Sequence, residues 1–500
     1  MTFRLRALLV LCLLPLLGLP AACERVVNPA TGEAEYTTLG PEEERAVGRQ
    51  QHPQVLQQFG GAYRDEALQR YVERLGERLV EVSDVPGQDF IFTVLNSDLP
   101  NAFALPGGYV YVTRGLLALA ENEAEVAGVL GHEIGHVAAR HAAQRQTQAT
   151  GAGILATLGT IGAAILGGET AAQLAQQVGG LGAEAWVAGY SRDQELEADD
   201  LGLEYLVEAG YDPRALASFL RKLDLETELR RRLSGQEGEA PFGWFATHPR
   251  TLDRVERVAA EVAEDAGGGG LGRDAYLERI DGLIYGEDPA QGLVRGRRFM
   301  HPELGFAFEA PPGFQLRNLP NAVVGSDGSG RIMRFDAVRV APGRDVVDYV
   351  AEDWARALRG AQLRNLQGVE VNGVPAATAQ TTGRLSDGRQ VDIALAAIRA
   401  DQERVYRFMF LSPGGLGRDE ARAYATTIDS FRRLNENEAA AFQPRRLAVV
   451  EVEGGQGIGD LAGRMAVDAL PREQLELLNR NALVDGGLEP GEPVKLVVEQ

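Results

Sequence analysis

The pattern of hydrophobic and polar positions predicts a short β section followed by a helix in the first half of the chain. Asp89–Leu95 and Tyr109–Thr113 alternate between the two classes and are rich in β-branched and aromatic residues, which is typical of strands. We expect a loop to join these two strands. Glu121–Gln144 carries helix-forming residues, with acidic side chains first and Arg140 late, an order that suits the helix dipole. This stretch is therefore predicted to form one helix.

Changes in composition divide the chain into several predicted units. A chain of 500 residues with 45% hydrophobic residues has enough apolar material for more than one core. Glycine-rich and polar stretches mark the boundaries between units. We predict an α+β multidomain protein with these segments: a signal peptide at 1–23, a mainly helical domain at 24–265, a linker with a connecting helix at 266–300, an α/β domain at 301–434, a second linker at 435–446 and a β-α-α-β unit at 447–500.

The first residues have the features of a bacterial export signal. Arg4 and Arg6 precede the apolar run Ala7–Leu19, and small residues follow up to Cys23. The other cysteine, Cys12, lies inside this run, so Cys23 has no partner for an intrachain disulfide after processing. The sequence Leu-Pro-Ala-Ala-Cys resembles the lipobox of bacterial lipoproteins. This resemblance implies lipidation of Cys23 and a location in the periplasm or cell envelope, with ordinary secretion and cleavage nearby as the alternative.

The charge balance and the apolar segments limit the classes of partner. The chain has 50 Lys+Arg and 71 Asp+Glu, a formal net charge of -21, which repels nucleic acid and anionic lipid surfaces. Gly151–Gly168 is uncharged, but it is so rich in Gly and Ala that we expect a buried helix or a flap over a cleft instead of a membrane span. We therefore predict no nucleic-acid partner and a membrane contact only through the lipid anchor.

A short motif within the predicted helix carries the candidate chemistry. His132, Glu133 and His136 form the pattern HExxH, and its two histidines are about one helical turn apart, so both can reach one metal ion. A catalytic zinc ion takes three protein ligands and an open position for water, and the adjacent carboxylate can accept the water's proton. We therefore predict one zinc ion held by both histidines, with Glu133 as general base. A solvated helix face is the alternative.

A later acidic stretch supplies the candidate third ligand. Glu195 and Asp199 are four residues apart and share one helix face, so Glu195 can bind the metal while Asp199 orients a histidine through its other N–H. Glu197 would point elsewhere. His141 lies five residues after the second histidine of the motif, about 140° away around a continuous helix, and we expect it to cap or pack. An acidic, solvated helix is the alternative for this stretch.

These motifs together resemble metallopeptidase family forty-eight, which contains the CAAX prenyl-protein endopeptidases, the HtpX proteases and the BepA-type proteins. The chain has the family's HExxH, then ExxAD, then His-Pro with a downstream arginine, here His248 and Arg254. The resemblance covers about residues 36–288 and implies a mainly helical, gluzincin-type domain. In it, the two histidines of the motif and Glu195 would be the zinc ligands.

The resemblance also places His248 and Arg254 beside the catalytic cleft. Two roles are open: stabilising the oxyanion of the tetrahedral intermediate or, for His248, blocking the metal until substrate displaces it. The start of an ordinary helix is the alternative for the His-Pro motif.

Two further resemblances concern the C-terminal half. Residues 301–434 resemble the PsbP-like α/β fold, with the motifs Asn-Gly-Val-Pro at 372–375 and Ile-Asp-Ser-Phe at 428–431. No Cys or further His follows His301, so we expect a binding or spacing module. Residues 447–500 resemble a LysM module, which implies peptidoglycan as a partner, and a plain protein-interaction unit is the alternative.

The combined prediction is a zinc endopeptidase of the cell envelope that cleaves unfolded or misfolded exported proteins. An extended substrate would add as a strand to Tyr109–Thr113 or to the Asn101–Gly108 loop. No cofactor other than zinc is expected. The alternatives are a non-catalytic, zinc-containing envelope assembly factor, against which the intact Glu133 argues, and a peptidoglycan hydrolase.

Overall fold

A computed structural model describes most of the chain. It covers residues 24–152, 189–234, 268–358, 361–384, 389–440, 442–484 and 488–499, together with positions 244, 248, 254, 257, 258 and 260. The predicted signal peptide with Cys23, and nearly all of the apolar stretch 151–168, lie outside the described residues. No helix within the described ranges has the length and apolar character needed to cross a bilayer.

The first unit packs helices around a small sheet. Its helices and strands in chain order are β1 (Glu24–Val27), β2 (Ala34–Thr37), α1 (Pro41–Gln58), α2 (Glu66–Glu81), β3 (Ile91–Leu95), β4 (Ala102–Leu105), β5 (Tyr109–Thr113), α3 (Arg114–Leu119), α4 (Glu123–Ala138), α5 (His141–Ala152), α6 (Arg192–Glu208) and α7 (Arg214–Ser234). Helix α4 is almost entirely buried, because the sheet, α2, α6 and α7 pack around it.

The small sheet has an additional strand in the loop predicted to join its two strands. The strand order is β3-β5-β4, with β5 parallel to β3 and antiparallel to β4. Strand β4 has the sequence AFAL, and all four residues are buried. A four-residue run that is apolar on both faces carries no alternation, so the sequence does not distinguish it from a loop. Strand β5 is central, β3 and β4 are the outer strands, and Ala62 forms a bridge to Leu95 on the outer side of β3.

The helix predicted at Glu121–Gln144 is two helices. Helix α4 ends at Ala138, Arg140 adopts a left-handed conformation with φ of 54°, and α5 begins at His141. This conformation is uncommon for a residue with a side chain. Tertiary contacts stabilise it, since Arg140 Nη2 donates to Leu39 O at 2.7 Å and lies 3.3 Å from the Glu44 carboxylate.

The second unit consists of two antiparallel sheets around an aromatic core. Its elements are β6 (Leu293–Arg295), β7 (Arg298–His301), β8 (Phe306–Glu309), β9 (Gln315–Leu319), β10 (Ala322–Ser326), β11 (Ile332–Arg339), β12 (Arg364–Val371), β13 (Val374–Arg384), β14 (Gln390–Arg399), β15 (Arg404–Pro413) and β16 (Arg432–Arg433). Among the described residues, the larger sheet has the order β12-β13-β14-β15-β11-β10-β9 and the smaller one β16-β8-β7-β6.

Helical segments cover the larger sheet on both faces. A short helix at Val346–Asp348 continues through a π-helical turn at Tyr349–Trp354 into Ala355–Ala357 and packs on one face, whereas the helix Arg418–Asp429 packs on the other. Mixed helix and sheet was predicted here. However, β6 and β7 lie within 266–300, the segment predicted as a linker, because they pair with β8. The helix α8 (Arg273–Ile280) is the connecting helix predicted there.

The C-terminal unit has the predicted β-α-α-β order with one additional short helix. Strands β17 (Arg445–Glu451) and β18 (Pro493–Glu499) form an antiparallel pair, and the helices between them span Ile458–Ala462, Pro471–Leu478 and Arg480–Val484. Leu447, Leu475 and Leu496 belong to the same hydrophobic core as helices α2, α4 and α7. The unit is therefore docked on the first one and shares its core, despite the predicted linker at 435–446.

Candidate metal centre

Glycines allow α4 and α6 to cross with their backbones almost in contact. A Cβ atom placed on Gly202 would lie 2.9 Å from the backbone N of His132, and one on Gly131 would lie 3.1 Å from Gly202 O. Such distances leave no room for a side chain. Gly135 has the same role, since a Cβ there would approach Ala198 O at 3.2 Å. The close crossing brings the carboxylates of α6 to the histidines of α4.

The start of α6 is set by a capping box. Ser191 Oγ accepts from the backbone N of Gln194, and the Gln194 side chain accepts from the backbone N of Ser191. These bonds satisfy orphan N–H groups at the helix N-terminus. As a result, Glu195 and Asp199 fall on successive turns that face α4, and both side chains are fully buried.

The three predicted ligands converge on one point. His132 Nε2 lies 3.0 Å from His136 Nε2, Glu195 Oε2 lies 3.8 Å from His132 Nε2, and Glu195 Oε1 lies 3.6 Å from His136 Nε2. Zinc bonds of 2.0–2.2 Å in a tetrahedron place ligand atoms about 3.4 Å apart. These residues, all buried, therefore match a zinc ion in both donor chemistry and spacing.

His248 contributes a fourth candidate ligand atom, a ring nitrogen, to this group. Its Nδ1 lies 3.3 Å from His132 Nε2 and 2.9 Å from Glu195 Oε1, while its Nε2 lies 3.2 Å from Glu133 Oε1. Burial lowers the pKa of His248, but the carboxylates of Glu195 and Glu133 outweigh it and raise the pKa to about 9. Oε1 of Glu133 faces His248, whereas its Oε2 accepts no hydrogen bond within the described residues, so the predicted base keeps one acceptor oxygen free.

Asp199 is placed to orient His132. Its Oδ1 lies 3.0 Å from His132 Nδ1, the nitrogen that faces away from the ligand cluster. Burial raises the pKa of Asp199, but the hydrogen bonds of Arg254 and His132 outweigh it and hold the pKa well below its usual value. An ionised carboxylate at this position favours the His132 tautomer whose Nε2 lone pair points to a metal.

His141 and Glu197 support the second histidine, contrary to prediction. His141 Nδ1 lies 2.8 Å from His136 Nδ1, and His141 Nε2 lies 3.1 Å from Glu197 Oε2. The prediction assumed one continuous helix, whereas the break at Arg140 turns His141 back toward His136. Burial, together with the neighbouring histidines, lowers the pKa of His136 well below its ordinary value, so this imidazole is neutral, as a metal ligand must be.

Arg254 binds the two carboxylates of α6 and does not line an open cleft. Its Nε and Nη2 donate to Asp199 at 2.8 and 2.7 Å, and Nη1 forms an ion pair with Glu195. Burial raises the pKa of Glu195, but His248, Arg254 and His132 lower it by a larger amount. This geometry opposes the oxyanion role left open for Arg254, because its guanidinium faces the carboxylates.

Two aromatic residues that the sequence did not single out enclose the site. Tyr190 stacks on His136 with ring centroids 3.7 Å apart, and Trp244 stacks on His248 at 4.0 Å. Tyr190 directly precedes the capping Ser191, which was the available clue to its position. Trp244 lies four residues before His248 and follows no periodic pattern, so its place depends on the tertiary fold.

Comparison with known proteins identifies the first unit. Residues 66–262 match the model of Peptidase family M48. This region is therefore similar to that family. The M48 domain contains every residue of the ligand cluster, and the predicted resemblance is confirmed.

Named relatives of the M48 domain are proteases. The chain is 34% identical over 200 residues to the beta-barrel assembly-enhancing protease of Yersinia pestis, covering 39% of this chain and 40% of that protein. It is 32% identical over 197 residues to the protein of the same name in Escherichia coli K12, covering 39% and 40%. It is 26% identical over 240 residues to the mitochondrial metalloendopeptidase OMA1 of Schizosaccharomyces pombe, covering 47% and 66%. The chain thus spans about 40 to 66% of the length of these relatives.

The second unit has solved structural neighbours. The solution structure of cyanobacterial PsbP from Synechocystis aligns with a TM-score of 0.23 at 15% identity, covering 30% of this chain and 98% of that one. LpqN of Mycobacterium tuberculosis aligns with a TM-score of 0.22 at 10% identity, covering 26% and 83%.

The support of His132 by Asp199 predicts a specific loss of metal affinity. Asp199→Asn removes the charge that fixes the His132 tautomer, and loss of such a partner weakens metal binding by about 10- to 100-fold. The measurement is zinc affinity by competition with a chelator. Asp200→Asn is the matched control, because Asp200 is the next residue but is half-exposed and pairs with Arg257. Equal affinity in both variants would contradict the assigned role of Asp199.

Proposed function

We propose that this protein is a zinc-dependent endopeptidase of the bacterial cell envelope that cleaves unfolded or misassembled exported proteins. The observation that carries the proposal is the buried convergence of His132, His136 and Glu195 at tetrahedral spacing beside the carboxylate of Glu133. The donor set of two imidazoles and one carboxylate, which is typical of zinc proteases, supports zinc as the metal.

The residues of the site divide the chemistry between them. Zinc, when bound, acidifies water and polarises the scissile carbonyl. Glu133 accepts the proton of the attacking water and returns it to the leaving amine. Asp199 and His141 keep the two ligating imidazoles in the required tautomer, and Arg254 keeps Glu195 ionised and oriented. Tyr190 and Trp244 cover the rings of the site and exclude bulk water from it.

Strand β4 is the proposed docking edge for the substrate backbone. Thr113 N donates to Asn101 O across the sheet, so residues 101, 103 and 105 pair with β5, while Ala102 and Ala104 direct their main-chain groups to the free edge. Ala104 and Leu105 line one small cavity together with His136 and Tyr190, which places this edge beside the ligands. Of the two predicted docking segments, the central strand β5 has no free edge.

Recognition through a strand edge suits unfolded substrates. A peptide that pairs with β4 is held mainly by backbone hydrogen bonds, which every sequence offers, and side-chain pockets add specificity only where they exist. Folded proteins rarely expose an unpaired extended segment. The Yersinia pestis relative is named for the assembly of β-barrels, which supports an exported, incompletely folded substrate class for this chain.

His248 is proposed to block the site until substrate displaces it. Its Nδ1 lies within 3.3 Å of two ligand atoms and its Nε2 lies 3.2 Å from the base. A substrate carbonyl and the attacking water need the space that this ring fills. The stacking of Trp244 on the same ring favours the blocked arrangement.

Location in the envelope rests on segments outside the described residues. We propose that Cys23 is lipidated and tethers the protein to a membrane, since acyl chains are enough to hold a soluble body at its surface when two signals combine. The LysM-like unit would add contact with peptidoglycan. Neither partner is needed for the chemistry of the site.

Two rival functions give different outcomes in one assay. A non-catalytic assembly factor would keep zinc for structure only, and the blocked position of His248 is the observation in its favour. A peptidoglycan hydrolase would attack cell wall instead of protein. Digestion of purified peptidoglycan and of casein side by side separates the three functions.

Replacement of the base should separate metal binding from catalysis. Glu133→Gln keeps the three ligands, so zinc content stays at one ion, whereas casein cleavage falls by about 10²- to 10⁴-fold, the usual contribution of a general base. The exposed Glu208→Gln on α6 serves as the control. Wild-type protein that holds zinc but cleaves nothing, even without His248, would favour the assembly factor.

Removal of the blocking ring should raise activity. If His248 occupies the metal position in about nine of ten molecules, only about a tenth of the protein can bind substrate. His248→Ala makes all of the protein able to bind, so we expect kcat/KM for casein to rise about tenfold. His301→Ala, in the second unit, is the control. An oxyanion role predicts the opposite, a loss of about 10²- to 10³-fold, so the sign of the change decides between the two roles.

Loss of the proposed anchor should release the protein from the membrane. Cys23→Ser leaves the export segment intact but removes the acyl acceptor, so the protein is expected in the soluble periplasmic fraction after cell lysis. Mass spectrometry of the mature N-terminus measures the lipid directly. An unmodified N-terminus in the wild type would show ordinary secretion.

A further inference from the structure

The junction between α3 and α4 contains two buried carboxylates. Glu121 immediately precedes the N-cap residue of α4 and Glu125 lies in its first turn; their exposed fractions are 2% and 0%. Glu125 Oε2 accepts from the backbone N of Glu121 at 2.7 Å. Lys222 of α7, fully buried, reaches both carboxylates at 2.7 Å. One lysine thus faces two acids inside the protein.

The C-terminal unit completes the bonding of these carboxylates. Asn481 donates its backbone N to Glu121 Oε1 at 2.9 Å and its side-chain Nδ2 to Glu125 Oε1 at 2.8 Å. Ser218 Oγ of α7 lies 3.0 Å from Glu125 Oε1 and 2.9 Å from Asn481 Oδ1. Residues more than 350 positions apart in the sequence therefore share one buried hydrogen-bond network.

A second lysine, which belongs to the C-terminal unit, binds the end of α3. Lys495 Nζ donates to the carbonyls of Ala118, Leu119 and Ala120 at 2.8, 3.2 and 2.6 Å. A cation at the last carbonyls of a helix satisfies orphan acceptors and the helix dipole. Asn479 fixes the backbone of Lys495 with bonds of 2.7 and 2.9 Å. Lys495 therefore links the C-terminal unit to the end of α3, while Lys222 pairs with the two carboxylates.

The network lies on the helix that carries the metal ligands. Glu125 precedes His132 by seven residues, which is two turns or about 10 Å along α4 and nearly the same face. Glu125 and His132 are both buried in a helix packed on all sides. A shift or rotation of the first turn therefore moves the first histidine, because a regular helix transmits it along the axis.

We propose that the C-terminal unit is an obligatory part of the catalytic domain, in which Asn481 and Lys495 are positioning residues for the metal-binding helix α4. The inference deepens the proposed function and rests on it, since it assumes that α4 carries the metal. It assigns this face of the LysM-like unit to an intramolecular partner, the α3–α4 junction. Contact with peptidoglycan would have to use another face.

The test compares two variants at the same interface. Asn481→Ala removes side-chain bonds to the buried network, whereas Arg232→Ala removes a half-exposed ion pair with Glu473 that does not reach α3 or α4. We expect Asn481→Ala to weaken zinc affinity and to lower kcat for casein, each about tenfold, with KM unchanged, as for loss of a partner that orients ligands. Lys495→Met should have the same effects. Arg232→Ala should match the wild type.

Hydrogen exchange distinguishes positioning from general loosening. In metal-free protein, Asn481→Ala should speed exchange in peptides covering residues 121–132, while Arg232→Ala should not. If exchange rises only within residues 447–484, and zinc affinity and kcat stay at wild-type values, the proposal is overturned. If Asn481→Ala does not accumulate, Ser218→Ala, which removes one link of the network, should give smaller changes in the same direction, and wild-type behaviour of that variant would overturn it.

The two proposals fail in different ways. Wild-type protein that binds no zinc contradicts the peptidase function, while the exchange measurement still reports whether Asn481 holds α4. Zinc binding and cleavage by the wild type, with unaltered exchange and kinetics in both Asn481→Ala and Lys495→Met, would contradict the positioning role alone.

Discussion

The crossing of α4 over α6 is the constraint on which the catalytic unit depends. Glycines at the crossing allow the backbones to touch, and this forces imidazoles and carboxylates together in a space without water. Each charge there is tolerable only because a partner neutralises it, since a buried charge left alone is strongly destabilising. Arg254 is central to this balance because it binds Glu195 and Asp199 at once. Burial and the neighbouring histidines lower the pKa of His136, and His248, Arg254 and His132 lower that of Glu195, so these two residues are a neutral imidazole and an ionised carboxylate, the states that bind a metal.

This constraint extends outward through segments that are distant in sequence. The break at Arg140 redirects His141 to His136, and the break in turn depends on the contact of Arg140 with Leu39 near the N-terminus. At its other end, α4 begins in a buried network with the C-terminal unit. Helix α4 is therefore held at both ends by parts of the chain outside the motif that it carries, and its ligands have little freedom to move.

The second unit is stabilised mainly by an aromatic core and not by buried charges. Its core is a packed set of aromatic rings between antiparallel strands, and within the described residues the group that could hold a metal ion lies entirely in the first unit. Asn318 donates to the carbonyls of Gln291 and Gly292, and Asn96 donates to Asp288, so the segment 288–292 connects the two units.

The sequence alone predicted the candidate ligands, because HExxH and the spacing of Glu195 and Asp199 are local properties of helices: four residues make about one turn wherever the helix is placed. It likewise determined the order of units and the β-α-α-β pattern at the C-terminus. Only the tertiary structure decided the remaining features. These are strand β4, the break at Arg140, the roles of His141, Glu197 and Arg254, and the docking of Asn481 and Lys495. Each depends on a partner from elsewhere in the chain, and no local period or propensity encodes which distant group will supply a hydrogen bond or neutralise a buried charge.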